Sequence, residues 1–394
     1  MNSAEEALAQ GVKDGKIPFA IIAATNADGS FEYHHAAGFQ HCGTNEDPIQ
    51  EDALIMLASQ SKLITAIACM KMVELGHITL DDDVTPHMPE LAKKQIFTGF
   101  TEDNKPIFVD RKNPITLRQL LTHSSGVTYG MNPNIVKLEL SSGRPSPVER
   151  KSATVAERFD FPMTFEPGTS WEYSPGLDWA GLLLHRLTGL TLEEFEKKYF
   201  WDPLGITGLT FWPSEEAKKT KQADLVIRGD DGKFSPNGTT PTLNTFSKEC
   251  FGGHGMYAVI PDYLKVLRSL LANDGKLLNP SSVDELFKPQ LGTDSEKHLN
   301  SFVQAWHTMI PGDFNPKIHV QYALGGIVFM EDDVGRRKKG TLSWGGLYNP
   351  FWIVDRTSGL AYTFGTQVLP TGDPGCKEME ALMESAVYKM AGVA

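Results

Sequence analysis

The chain has 394 residues, 37 Lys+Arg against 49 Asp+Glu and a formal net charge of −12, with 41% apolar and 22% charged residues. That is the make-up of a globular protein with a large core, and its acidic balance excludes a nucleic-acid surface, which needs clustered Lys and Arg. No run approaches the ~18 consecutive apolar residues of a membrane span. Met1-Asn2-Ser3-Ala4-Glu5-Glu6 has neither the basic nor the apolar region of a leader, so a cytoplasmic protein with no membrane contact is expected.

Helical spacing over 3–14 ends near Gly15. Phe19-Ala20-Ile21-Ile22-Ala23-Ala24, an Asp28-Gly29 turn and residues 30–37 read as a β-hairpin. From 59 to 75 the pattern is helical and stops at Gly76. Thr116 caps a short helix, 177–187 is an apolar helix closed by Gly189, and Thr191-Leu192-Glu193-Glu194 opens another with acids in its first turn. Residues 261–272 form a helix with proline at its start and Asn273-Asp274-Gly275 at its end. Strands are expected at 322–330, 340–345, 350–355 and 360–365, then an amphipathic helix at 377–390. Arg336-Arg337-Lys338-Lys339 lies between two apolar stretches and reads as a solvated hairpin tip.

Strands at both ends of the chain are best satisfied in one antiparallel sheet. The expected class is therefore α+β: a sheet flanked by the terminal helices, plus a mostly helical lobe. We expect a single unit over 1–394, with a sheet lobe from 1–58 and 320–394 and a helical lobe from 59–319.

Several chemistries lack their motifs. There is no G-x-S-x-G, H-E-x-x-H, G-x-x-x-x-G-K-[ST] or G-x-G-x-x-G, and no metal or cofactor is expected. Cys42, Cys69, Cys250 and Cys376 are far apart with no C-x-x-C, which excludes a zinc ribbon and argues against a disulfide framework; Cys69 reads as a small core residue. Gly252-Gly253-His254-Gly255 reads as a tight backbone passage near a site or as a plain turn.

Ser59-Gln60-Ser61-Lys62 is the only S-x-x-K in the chain, and it opens an apolar helix. A serine in a first helical turn meets free N–H groups and the positive end of the dipole, and a lysine three residues on shares its face. Such a pair activates a serine nucleophile, or it is a helix cap followed by a surface lysine. Tyr173 in Trp171-Glu172-Tyr173-Ser174-Pro175-Gly176 projects into a cleft as a proton carrier or packs in the core. Ser343-Trp344-Gly345-Gly346-Leu347 puts two glycines in a strand, signalling close approach of the backbone to a ligand, or a bulge.

In this order the three groups resemble the serine β-lactamase and penicillin-binding-protein family, with S-x-x-K, a tyrosine motif and a K-T-G-like strand. Within it, the chain is most similar to the class C-like branch of fungal lovastatin-type acyltransferases and family VIII carboxylesterases. The likeness extends through Leu120-Leu121-Thr122-His123-Ser124-Ser125-Gly126-Val127-Thr128-Tyr129, Gly176-Leu177-Asp178-Trp179-Ala180-Gly181 and Glu249-Cys250-Phe251-Gly252-Gly253-His254-Gly255. The resemblance implies a β-lactamase/transpeptidase-like fold, Ser59 as nucleophile, Lys62 as its base or base partner, and Tyr173 as an acid/base acting with Lys62. It implies an oxyanion hole from the N–H groups of Ser59 and Leu347, with Tyr129, Trp344, Gly345, Gly346, Gly253 and His254 along the substrate.

The chain departs from β-lactamases twice: Pro175 stands where they have Asn, and Trp344 where they have a cation. Both departures point away from β-lactams, toward a neutral acyl group. The expected activity is transfer of that group from a thioester, on an acyl-carrier protein, CoA or a small thiol, to a hydroxyl of a secondary-metabolite acceptor. The alternatives are a carboxylesterase using the same acyl-enzyme, and a binding protein that has lost catalysis.

Overall fold

Strand Phe19–Asn26 is buried on both sides: Ala20, Ile22 and Ala24 face one core, Phe19, Ile21 and Ala23 another. The two-residue period of a strand with apolar residues at every position requires cover on both faces. The computed structural model describes residues 3–43, 46–147, 150, 152–238, 240 and 242–394; Met1 and Asn2, part of the run inspected for leader features, lie outside these. Phe19–Asn26 is one of seven strands, in the order Val320–Tyr322, Ile327–Phe329, Leu342–Gly345, Phe351–Asp355, Leu360–Gly365, Phe19–Asn26, Glu32–Gly38. Every neighbouring pair is antiparallel.

Helices Ser3–Lys13 and Pro374–Met390 cover one face, where Ile22 and Phe364 sit opposite each other in register. Ile260–Ala272 covers the other, packing Tyr263 and Leu267 into the core that holds Trp352 and Ala361. The expected antiparallel sheet with the terminal helices on one face, and a mostly helical middle, is therefore observed. Thr116 and Thr191 cap their helices as expected, each in a reciprocal box with the residue three further on.

Three local expectations are corrected. The stretch 322–330 is two strands, not one, because Gly325 turns the chain at φ +94° against Ala66 and Leu63. A small sheet of Leu54–Met56, Tyr257–Val259 and Leu209–Thr210 was not foreseen; strands of two or three residues carry no periodicity. The basic run 336–339 is a turn, but only its end is solvated, at Lys339. Arg337 is fully buried, pairs with Glu384 through two hydrogen bonds of 2.6 and 2.9 Å, and lies 5.2–5.7 Å from the ring centres of Phe314, Phe329 and Phe351.

This charge cluster supports the strand that matters most below. Lys377 donates to the carbonyls of Ile310 and Gly312, and Glu380 accepts from the Gly312 N–H at 2.9 Å. Burial pushes the Glu380 carboxyl up to about 7. Pro311, held between these anchors, presses on Gly345, where a Cβ would collide with it. Removing one partner of a buried pair leaves an uncompensated charge. Glu384→Ala should therefore lower unfolding stability by about 3–5 kcal/mol in chemical denaturation, and the double change Arg337→Met with Glu384→Leu should recover most of it.

Candidate active site

Ser59 stands in the 3-10 turn Ala58–Gln60 that leads into helix Ser61–Glu74. Ala58 before it has φ +45°, a strained conformation for a residue with a Cβ. Among the described residues the N–H groups of Ser59 and Leu347 have no acceptor in the protein. Strand Leu342–Gly345 runs beside that turn, and Gly346 passes so close to the Leu57 carbonyl that a Cβ would collide with it. Beyond Gly346 the loop is tied down: Thr371 Oγ1 donates to the Leu347 carbonyl at 2.5 Å, and Asn349, at φ +69°, donates to the Val368 carbonyl at 2.8 Å.

Lys62 is fully buried. Its ammonium donates to Ser59 Oγ at 3.1 Å, Tyr129 Oη at 3.3 Å and the Gly253 carbonyl at 2.7 Å, so all three protons are placed. Tyr173 Oη is hydrogen-bonded to Ser59 Oγ at 2.8 Å, and Lys62 Nζ lies 4.7 Å from the centre of its ring. Trp344 Nε1 donates to Tyr173 Oη at 3.2 Å. One serine oxygen is thus held between a cation and a phenol, and the phenol is held by an indole.

Ser59, Tyr129, Tyr173, His254 and Leu347 line one cavity of about 520 Å³, walled mainly by Met131, Phe159, Phe161, Leu243 and Phe246. The other expected site residues stand behind it. Lys62 and Gly253 lie under Ser59, Trp344 backs Tyr173, and Gly345 and Gly346 pack on Pro311 and Leu57 instead of lining the cavity. A second cavity of about 610 Å³, lined in part by Lys93, Lys94, Arg144 and Asp160, contains none of them.

Three residues were not singled out from sequence. His123, at φ +60°, accepts the Ser174 N–H on Nδ1 at 3.2 Å, and its carbonyl accepts the Glu172 N–H at 3.1 Å, so it grips both neighbours of Tyr173. Its Nε2 meets Tyr322 Oη at 3.1 Å. Because Nδ1 accepts, the neutral ring carries its proton on Nε2. Burial and the Lys62 charge hold the His123 pKa well below the usual imidazole range. Asp178 accepts the Gly253 N–H at 2.9 Å, and burial pushes its carboxyl up to about 6. Arg158 lines the cavity, donates to the Ser152 and Leu243 carbonyls, and among the described residues has no carboxylate within ion-pair distance. A visible signal existed for one of them: Asp178 interrupts an apolar run at a helix start, whereas His123 sits among Thr122, Ser124 and Ser125. Nothing in Glu157-Arg158-Phe159 marked Arg158.

A family model described as beta-lactamase matches residues 4–385. The chain belongs to the beta-lactamase family. It is 38% identical to a lovastatin esterase of Penicillium rubens over 96% of both chains. It is 33% identical to a monacolin J acid methylbutanoyltransferase of Aspergillus terreus, covering 98% of this chain and 94% of that one. A simvastatin synthase from Aspergillus terreus (a LovD6 mutant) superposes with a TM-score of 0.91 at 32% identity, covering 99% of this chain and 95% of that one. Within the beta-lactamase family this chain is accordingly an enzyme of the acyltransferase and esterase kind, as its sequence led us to expect. No helix among the described residues is long and apolar enough to cross a membrane.

In this beta-lactamase-family site the imidazole next to the tyrosine is built to stay uncharged. Nitrogen chemical shifts of His123 should show a neutral ring protonated on Nε2 at the pH where a free imidazole is half charged, about 6.5. A charged His123 at that pH would contradict the hydrogen-bond assignment.

Proposed function

We propose that this enzyme moves a neutral acyl group from a thioester, through a covalent ester on Ser59, to a hydroxyl of a bulky, largely apolar carboxylic acid. The observation that carries this reading is the Ser59 hydroxyl, held at 2.8 Å by Tyr173 and 3.1 Å by Lys62 at one end of a mainly apolar cavity. Tyr173 Oη, as the phenolate held by the Lys62 ammonium and the Trp344 N–H, takes the proton of Ser59 Oγ as Oγ bonds to the acyl carbon. The free N–H groups of Ser59 and Leu347 are the donors for the oxyanion that forms. As the carbonyl re-forms, the carbon–sulfur bond breaks and the thiolate takes the proton. The acceptor hydroxyl then reverses the sequence: it attacks the acyl carbon, gives its proton to Tyr173 Oη, and Ser59 Oγ leaves and is reprotonated.

Two features support the choice of substrates. Trp344 fills the place of a family cation and turns its N–H to Tyr173, so that position holds no carboxylate. The cation instead is Arg158, which lines the cavity with no carboxylate at ion-pair distance among the described residues; this suits an acceptor bearing a carboxylate. The names of the related transferases, monacolin J acid and ML-236A carboxylate enzymes, specify acids. A thioester on an acyl-carrier protein, CoA or a small thiol fits the partly exposed, apolar mouth formed by Met131, Leu243, Phe246 and Leu347. Hydrolysis is the second reading, favoured by the 38%-identical esterase, and shares every step up to the acyl-enzyme.

Intact-protein mass spectrometry with a methylbutanoyl thioester should show one acyl adduct on Ser59, absent from Ser59→Ala, with a rate loss of several orders of magnitude. Discharge of that adduct by monacolin J acid with ester formation supports transfer; discharge by water alone, unaffected by the alcohol, supports hydrolysis. No adduct at all would sink both. Nitrocefin should acylate the protein more slowly than the thioester, because neither Pro175 nor Trp344 supplies what a β-lactam needs; the reverse order would overturn the substrate assignment.

A further inference from the structure

Asp178 has no part in the reaction just described, yet its place is unusual. It lies in the first turn of helix Gly176–Thr188, fully buried, in the otherwise apolar stretch from Leu177 to Leu184. Oδ1 accepts the Gly253 N–H at 2.9 Å; Oδ2 has no hydrogen-bond partner. An ionisable group left this way in a core is not there for packing.

Its surroundings explain it. The peptide between Gly252 and Gly253 is clamped from two helices: Thr65 Oγ1 donates to its carbonyl at 2.8 Å, and its N–H goes to Asp178. The next carbonyl, that of Gly253, is the 2.7 Å acceptor of Lys62. Both glycines are obligatory here, since a Cβ at 252 would press on Thr65 and the Leu177 carbonyl, and one at 253 would collide with the Asp178 carboxylate. Asp178 thus sets the carbonyl that aims Lys62. The groups facing it are Lys62 and Thr65 from the serine-bearing helix, Arg158 from helix Val155–Arg158, Tyr129, and His254, whose Nδ1 is 3.5 Å from Oδ1. Burial beside Arg158 and Lys62 holds the His254 pKa well below the usual imidazole range. Lys62 has only neutral oxygens in its own hydrogen-bonding shell, and Asp178 supplies the anion behind them.

We propose that Asp178 is a positioning residue for the serine chemistry: its carboxylate balances the Lys62 ammonium and, through Gly253, fixes Nζ against Ser59 Oγ. This rests on the reading of Ser59 as the acylated residue. Asp178 takes up a proton near pH 6 and its charge is then lost. Acylation should therefore be full above that pH and fall as pH drops through it.

The test is the single-turnover rate of Ser59 labelling by a p-nitrophenyl ester between pH 5 and 8. The unmodified enzyme should show an acid limb centred near 6. Asp178→Asn, with an amide oxygen still able to accept from Gly253, should label at least tenfold more slowly above pH 7, with little change in the ester concentration needed for half-saturation, and should lack the limb. Asp178→Glu should retain a limb with a displaced midpoint. An Asn variant with the unmodified rate and profile would overturn the proposal while leaving the acyl-enzyme intact. Should the Asn variant not fold, a flat profile in the unmodified enzyme overturns it equally. Failure of the unmodified enzyme to label at Ser59 would overturn both.

Discussion

A lysine ammonium with no exposure to water must find an acceptor for each proton, and Lys62 finds its three in three different parts of the chain. One is in the turn that opens its own helix, one in the segment between Leu121 and Pro133, one on the glycine loop 252–255. None of these loops is free to shift without stranding a buried charge, an error that exceeds the value of most single contacts. The site is therefore held together by the desolvation of one cation. That constraint explains why segments far apart in sequence carry so little slack here.

The glycines follow from the same demand. Gly252 and Gly253 let a loop press against the helix of Lys62 and the helix of Asp178 at once; Gly176 starts that second helix where a Cβ would collide with the Leu120 carbonyl. Gly346 does the same for the strand beside the Leu57 carbonyl, leaving the Leu347 N–H free. In each case the missing side chain makes room for the protein's own backbone, and the cavity is shaped indirectly. Polarity is graded from the centre outward. The ionic and phenolic groups cluster at Ser59, aromatic rings surround them, and the open end of the cavity is apolar, formed by Met131, Leu243, Phe246 and Leu347.

A second buried charge system lies on the opposite face of the sheet. Arg337, Glu384, Lys377 and Glu380 join the last hairpin to the last helix and fix the 310–312 segment under Gly345. Position of the strand carrying Trp344 thus depends on charges that touch nothing in the cavity. Buried ion pairs of this sort set geometry more surely than they add stability, because any other packing leaves them unpaired.

Sequence alone determined the features that are local or periodic. The apolar run 19–24 with the Asp28-Gly29 turn marked a hairpin, Thr116 announced its cap and Thr191 its helix start, and Ser59 with Lys62 at the head of an apolar helix placed both side chains on one surface. Tyr173 and Trp344 were legible as motifs. Tertiary structure decided the rest, because it depends on contacts between residues far apart in the chain. Only the fold shows that Trp344 turns its N–H to Tyr173, that Gly345 and Gly346 serve packing, and that Arg337 is buried although its run reads as a solvated turn. Asp178 and Arg158 are separated from Lys62 by about a hundred residues of chain. A buried carboxylate and an unpaired guanidinium look like any other charges in a sequence, since what distinguishes them is the absence of water and of a partner.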